Sequence, residues 1–278
     1  RLFHTYSQGI CMQPMTNIAL RAARKAGEVI ARATENIDTL EVEEKGQNDF
    51  VTEIDKAAEK EIRYHLKKAY PDHAITGEEG GLEGDCEADY QWIIDPLDGT
   101  TNFIRGIPHF AVSIACVYKG QIEHAVILDP IRREEFTASR GHGAALNGRR
   151  MRVSSRKGLD GALVGTGIPY KNRSEQHIAT YMKSLQDVAS QTAGIRRAGS
   201  AALDLAYVAA GRLDGFWEIG LNQWDTAAGI LMIREAGGLI SDFNGGNHYL
   251  ESGNIVTGNP KCFKALLQTV QPHLGHIQ

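Results

Sequence analysis

The sequence predicts an α/β protein, with an α+β N-terminal half and an α/β C-terminal half. Three observations carry this: helically spaced apolar residues near the start, a run of short strands between 91 and 138, and alternating strand and helix patterns after about 153. Residues 15–35 set Ile18, Ala19, Ala22, Ala23, Ala26, Val29 and Ile30 against Arg21, Arg24, Lys25 and Glu28, the pattern of an amphipathic helix. A second helix is expected from about 54 to 69, stopping ahead of Pro71 because a proline pushes its predecessor out of helical φ/ψ. Strands follow at 91–95, 110–118, 122–129 and 134–138, with Lys119-Gly120 as a hairpin turn and Gly141-His142-Gly143 as a surface turn. The second half reads as strand 161–166, helices 175–190 and 201–211, strand 214–218, and a helix at 225–236 capped by Gly237-Gly238. Strands near 238–242 and 254–257 and a helix at 260–270 complete it. A soft boundary near 152 gives two expected domains, 12–152 and 153–278. Residues 1–11 lack the apolar centre of a signal peptide and precede a plausible start at Met12, so they read as an expression remnant.

With 278 residues, 42% of them hydrophobic, the chain can bury a sizeable core in one large domain or two intimate ones. Thirty basic against 34 acidic residues leave a net charge of −4, so no overall basic field argues for nucleic acid. The basic clusters at Arg149, Arg150 and Arg152 and at Arg196-Arg197 read as solvated surface. Cysteines at 11, 86, 116 and 262 have neither disulfide nor zinc spacing, which fits a reducing cytoplasm better than a secreted scaffold. No apolar stretch reaches the ~18–20 residues that span a bilayer.

The most informative segment is 91–103. Trp92, Ile93 and Ile94 end a buried strand, and Asp95-Pro96-Leu97-Asp98 has turn chemistry. Two carboxylates three residues apart suit a hard cation such as Mg²⁺, which takes oxygen ligands. Gly99-Thr100-Thr101 follows where a helix would begin, and unpaired N–H groups at a helix start can hold phosphate. Together these point to a metal-assisted phosphoesterase. The same stretch also reads as a strand, an Asp-Pro turn and a Thr-capped helix without chemistry. A calcium loop is excluded, because the carboxylates do not alternate and no Glu closes a twelve-residue loop. Elsewhere the readings stay double. Glu78-Glu79 is also an exposed acidic pair, Asp225 a helix cap, Asp55 part of a helix-start motif after Thr52, and Glu218 a strand-end acid.

Asp95-Pro96-Leu97-Asp98-Gly99-Thr100-Thr101-Asn102-Phe103 resembles the first signature of the inositol monophosphatase family, and Trp224-Asp225-Thr226-Ala227-Ala228-Gly229 its second. Gly77-Glu78-Glu79 looks like the family's upstream metal-binding Glu segment, and Asp49-Phe50-Val51-Thr52-Glu53-Ile54-Asp55 like its N-terminal Asp pair. The four occur in the family's order and span most of the chain. Residues 201–212 resemble a bacterial branch associated with transcription antitermination and ribosomal RNA maturation.

The resemblance implies a layered α-β-α-β-α sandwich of the inositol monophosphatase and fructose bisphosphatase type. It implies two to three Mg²⁺ per site: one on Glu78, Asp95 and the Leu97 carbonyl, a second on Asp95, Asp98 and Asp225, and a looser third on Glu78. Thr100, bonded to Asp55, would orient the attacking water, with Glu78 assisting through metal-bound water. Phosphate would rest on Gly99 and Thr100. The substrate hydroxyls would be read by Asp98, Glu218 and the Gly199-Ser200-Ala201 segment, with Asp225 at the same site. Lys45 resembles a loop lysine near the third metal, and Ser200 replaces the Thr common in animal members. The implied activity is lithium-sensitive hydrolysis of inositol 1-phosphate and similar monoesters by a cytoplasmic homodimer. Alternatives are 3′-nucleotide bisphosphate or fructose bisphosphate hydrolysis, and a binding role in an RNA polymerase antitermination complex.

Overall fold

The computed structural model describes residues 12–35, 42–46, 49–169 and 175–277. Residues 1–11, which include Cys11, lie outside it. Pro14 opens helix α1 (Pro14–Ala33), where a missing N–H is harmless and the fixed φ is already helical. Its Ala19, Ala22, Ala23, Ala26 and Ile30 are buried, as the spacing requires. Strands β1 (Val42–Gly46) and β2 (Asp49–Thr52) form an antiparallel ribbon leading into α2 (Glu53–Ala69). Then come β3 (Ala74–Gly77), β4 (Gly81–Glu83), β5 (Tyr90–Asp98), the short α3 (Thr100–Ile104), β6 (Ala111–Tyr118), β7 (Gln121–Asp129), β8 (Glu134–Ser139), β9 (Gly143–Leu146) and β10 (Arg149–Arg150). The second half carries β11 (Leu163–Thr166), α4 (Ile178–Gln191), β12 (Gly194–Arg196), α5 (Ala201–Ala209), β13 (Gly215–Glu218), α6 (Gln223–Glu235), β14 (Leu239–Ser241), α7 (Tyr249–Ser252), β15 (Ile255–Gly258) and α8 (Pro260–Leu274).

An eight-stranded sheet has the order β10-β9-β8-β7-β6-β5-β3-β4, and a five-stranded sheet the order β12-β11-β13-β15-β14. The first is antiparallel except where β3 meets β5, and the second is mixed. Three apolar clusters define the layers. Helices α1 and α2 cover one face of the large sheet through Ile30, Ile62, Trp92 and Ile114. Helices α5 and α6 fill the space between the two sheets through Leu205, Ile230 and Phe216. Helices α4 and α8 cover the outer face of the small sheet through Tyr181, Trp217 and Leu266. The result is the expected α-β-α-β-α sandwich. Helix α6 is buried continuously from Thr226 to Ile233, as befits a helix pressed between two sheets. Among the described residues no helix is long and apolar enough to cross a membrane. Cys86, Cys116 and Cys262 are free thiols.

Local expectations needed correction at one functional point. Asp95-Pro96-Leu97-Asp98 is not a turn: β5 continues through Asp98, with its pairing to β6 irregular between Asp95 and Asp98. Proline is tolerated at such a bulge because no ladder N–H is forfeited there. The Lys119-Gly120 hairpin is present, both residues having positive φ as a primed two-residue turn requires. Strands β3, β4, β9, β10 and β12 are too short to produce a periodic signal in sequence.

Candidate metal and phosphate site

The end of β5, an interior strand between β6 and β3, brings two carboxylates together. Asp95 is 1% exposed, and its Oδ1 accepts from the Leu97 N–H at 3.0 Å. The start of α6 supplies the third carboxylate. There Asn222 and Asp225 form a capping box, and the Asn222 N–H donates to Asp225 Oδ2 at 2.7 Å. One oxygen each from Asp95, Asp98 and Asp225 lies within 4.8 Å of the others. Glu78 enters from the loop after β3, where its N–H donates to the Ile94 carbonyl at 3.2 Å. That loop is held from below. Glu59 accepts from the N–H groups of Glu79 and Gly80, both at 2.8 Å, and is itself fixed by Arg63 at 2.8 Å.

The electrostatics follow from this crowding. Burial first, then the charges of Glu78, Asp98 and Asp225, push the Asp95 carboxyl well above its ordinary value. Asp98 is raised by burial to about 6, although hydrogen bonds from Ser200 and Ala202 pull it down. Converging carboxylates, one buried and two half-buried, repel one another without a cation, and a divalent ion relieves that repulsion. A donor set made wholly of oxygen suits a hard cation. These residues therefore fit the metal that the sequence implies.

Beside the cluster, Thr100 Oγ1 lies 2.9 Å from Asp55 Oδ1 and 3.1 Å from the Leu97 carbonyl, to both of which it donates. Asp55 also accepts the Thr52 N–H through Oδ2, closing the capping box of α2. With the Thr100 proton directed at Asp55 and Leu97, the hydroxyl oxygen retains acceptor capacity for a water. Gly99 is in the left-handed region at φ 101°, and a Cβ there would lie 3.0 Å from the His109 carbonyl and 3.2 Å from that of Gly199. The first signature thus packs directly on the Gly199 segment. Asn102 clamps the two by donating to the carbonyls of His109 at 2.8 Å and Ala198 at 2.9 Å.

On the far side, α5 begins at Ala201 with Ser200 as its N-cap. The Ser200 hydroxyl donates to Asp98 Oδ2 at 2.6 Å, and the Ala202 N–H to the same oxygen at 2.7 Å. The Ser200 side chain is therefore engaged with Asp98 rather than turned to a ligand. Glu218 ends β13, and its carboxyl is raised to about 8 by burial and by Asp225 and Asp98, against the opposing charge of Arg197. Lys45 belongs to β1, but its side chain, like that of Asp49, lies outside the described residues. Glu59 and the Ala202 N–H carry no sequence signal strong enough to single them out, and Asn102 is marked in sequence only as a member of the first signature, not for its clamp. Glu59 and Arg63 are visible only as an i, i+4 pair.

A sequence model of the inositol monophosphatase family matches residues 11–274. The chain is 65% identical over 265 residues to Nus factor SuhB of Pseudomonas aeruginosa, covering 95% of this chain and 98% of that protein. It superposes with TM-score 0.90 and 45% identity on the crystal structure of extragenic suppressor protein SuhB from Bartonella henselae, covering 93% of this chain and 99% of the other. For the inositol monophosphatase of Anabaena the TM-score is 0.83 at 35% identity, with 94% and 97% covered.

Proposed function

Because the chain belongs to the inositol monophosphatase family, we propose that it hydrolyses inositol 1-phosphate, and related small phosphate monoesters, to the alcohol and inorganic phosphate with Mg²⁺. The observation that carries this reading is the convergence of Asp95, Asp98 and Asp225 within 4.8 Å beside the Thr100–Asp55 pair. Glu78, Asp95, the Leu97 carbonyl, Asp98 and Asp225 would hold two to three Mg²⁺, most of these ligands coming from the proposed 12–152 domain. When bound, such ions neutralise charge on the phosphoryl group and lower the pKa of bound water. Thr100, its proton held by Asp55, accepts a hydrogen bond from the attacking water and fixes its direction. The N–H groups of Gly99 and Thr100 hold the phosphate. Glu218, Asp98 and the Gly199-Ser200-Ala201 backbone take the substrate hydroxyls. The bond formed is water oxygen to phosphorus, and the bond broken is phosphorus to the ester oxygen.

A phosphate-release screen over inositol 1-phosphate, fructose 1,6-bisphosphate, a 3′-nucleotide bisphosphate and p-nitrophenyl phosphate tests it, run with Mg²⁺ and with or without lithium. Inositol 1-phosphate as the best substrate, with inhibition by lithium, is the expected result. Preference for either bisphosphate would move the protein to another activity of the same superfamily.

A second role is favoured by the name of the Pseudomonas aeruginosa relative, Nus factor SuhB. We infer that the chain also joins a cytoplasmic transcription antitermination complex with RNA polymerase, through a surface apart from the metal site, and acts as a homodimer. Pull-down of RNA polymerase by wild-type and Asp95→Asn protein separates the roles: equal capture with lost turnover is expected. Light scattering gives the oligomeric state.

A further inference from the structure

Glu218 is the last residue of β13, and the parallel neighbour β11 is in register with Thr166 beside Trp217. One step further along both chains puts Gly167 beside Glu218. A Cβ built on Gly167 would lie 1.8 Å from Oε1, 2.0 Å from Cδ and 2.4 Å from Oε2 of Glu218. The three heavy atoms nearest that point are thus the Glu218 carboxyl itself. Gly167 is absent from the glycines with positive φ, so its backbone conformation does not demand glycine; the space does. On the other flank of β13, Ile255 stands opposite Glu218 and is fully buried, leaving the glycine side for the carboxyl. The backbone is pinned as well. Thr166 Oγ1 donates to the Trp217 carbonyl at 2.8 Å, and the Tyr181 hydroxyl donates to the same carbonyl at 3.1 Å.

We propose that Gly167 is a specificity-determining residue: its missing side chain is the seat of the Glu218 carboxyl and so fixes which substrate hydroxyls that carboxyl reaches. The proposal rests on the hydrolysis reading above. Any side chain at 167 must displace the carboxyl. Because the collision is with the far end of a flexible side chain, the protein accommodates alanine by swinging Glu218 aside while the metal carboxylates stay in place.

The test is Gly167→Ala in the full chain with Mg²⁺, in wild-type and Glu218→Ala backgrounds, assayed on inositol 1-phosphate and p-nitrophenyl phosphate. In the wild-type background kcat/KM for inositol 1-phosphate is expected to fall at least about tenfold and that for p-nitrophenyl phosphate less than about threefold, because only the former presents remote hydroxyls. In the Glu218→Ala background Gly167→Ala should cost nothing further, since the two changes act through one contact. Equal losses on both substrates, or a loss that persists without Glu218, overturns the proposal. Should Gly167→Ala lower Tm, the Glu218→Ala background should restore it; a Tm loss that remains there also overturns it. Wild-type protein with no preference for inositol 1-phosphate refutes the substrate reading instead. The seat is then judged by a crystal structure of Gly167→Ala, in which an unmoved Glu218 carboxyl refutes it and a displaced one supports it.

Discussion

The hydroxyl of Thr100 and the carboxylate of Asp55 meet at 2.9 Å across 45 positions of sequence, joining the start of α3 to the start of α2. Asp55 divides its oxygens: Oδ2 caps its own helix, and Oδ1 holds Thr100. Thr100→Ala removes the oriented acceptor but no metal ligand. Its kcat should fall by about 10²–10⁴-fold with KM within about threefold, because orientation acts mainly in the transition state. Thr100→Ser, which keeps the hydroxyl, should recover most of the loss. Steady-state kinetics on inositol 1-phosphate decide this; a rise in KM alone would make Thr100 a binding group.

Asp95 lies at the centre of the carboxylate cluster, within the reach of Glu78, Asp98 and Asp225. Asp95→Asn keeps the shape and removes one of the repelling charges. Metal-free protein should therefore be as stable as wild type or more so, whereas the Tm gain on adding Mg²⁺ should shrink and turnover should be nearly abolished. Thermal melts with and without Mg²⁺ read both effects. Turnover within about threefold of wild type at saturating Mg²⁺ would remove Asp95 from the metal core.

The residues of this site were visible in sequence to the extent that their signals are local. Asp95 and Asp98 sit together in one short segment, and Asp225 sits in another. For Asp55 and Asp225 the helix-cap reading holds, and the same side chains also meet their partners in the site: Asp55 bonds Thr100, and Asp225 converges with Asp95 and Asp98. The backbone of Asp95–Asp98 was misread because Asp-Pro is turn chemistry locally, and only pairing with β6 reveals a bulged strand. Glu59 and Gly167 were illegible for a different reason. What each does depends on a neighbour far along the chain, Glu79 in one case and Glu218 in the other.

His73 lends itself to a pH experiment. It stacks between Tyr70 and Tyr90, each centroid 4.6 Å away, and its Nδ1 lies 3.1 Å from the donating Trp92 Nε1. Nδ1 must then be unprotonated. Burial lowers the His73 pKa, Lys67 adds to that, and Asp72 opposes it. A depressed histidine pKa means the fold favours the neutral ring. Its contribution is complete above the unfolded value of about 6.5 and is lost as pH falls through it toward the folded value. Wild-type Tm should therefore drop more between about pH 7.5 and about pH 5.5 than that of His73→Gln, which has no charge to gain. Parallel pH profiles of Tm would refute the assignment.

Gly229 closes the second signature, and its glycine is a packing requirement of the helix pair that carries Asp225. A Cβ there would lie 2.4 Å from Leu205 Cβ and 2.7 Å from Leu205 Cδ1, where α5 crosses α6. Helix propensity alone favours alanine over glycine by about 1 kcal/mol. Overpacking a core by one methyl group costs about 1–3 kcal/mol, and a clash with a Cβ cannot be relieved by rotating a side chain. A 2.4 Å approach to backbone-anchored carbon places the cost in the upper part of that range, about 2–3 kcal/mol. The clash should therefore win, and Gly229→Ala is expected to lower stability by about 1–2 kcal/mol, read as a lower denaturant midpoint at constant slope. Separating α5 from α6 also shifts Asp225 relative to Asp98, because Asp98 is tied to the start of α5 through Ser200 and Ala202. Mg²⁺ affinity should weaken in the same variant. Leu205→Ala removes Cγ and Cδ1 but keeps the Cβ, so in Gly229→Ala/Leu205→Ala only the part of the clash made by Cγ and Cδ1 is relieved. The combined loss should fall only a little short of the sum of the two single losses. An increase in stability from Gly229→Ala, or a Mg²⁺ affinity unchanged in that variant, would mean that the α5–α6 crossing does not set the position of Asp225.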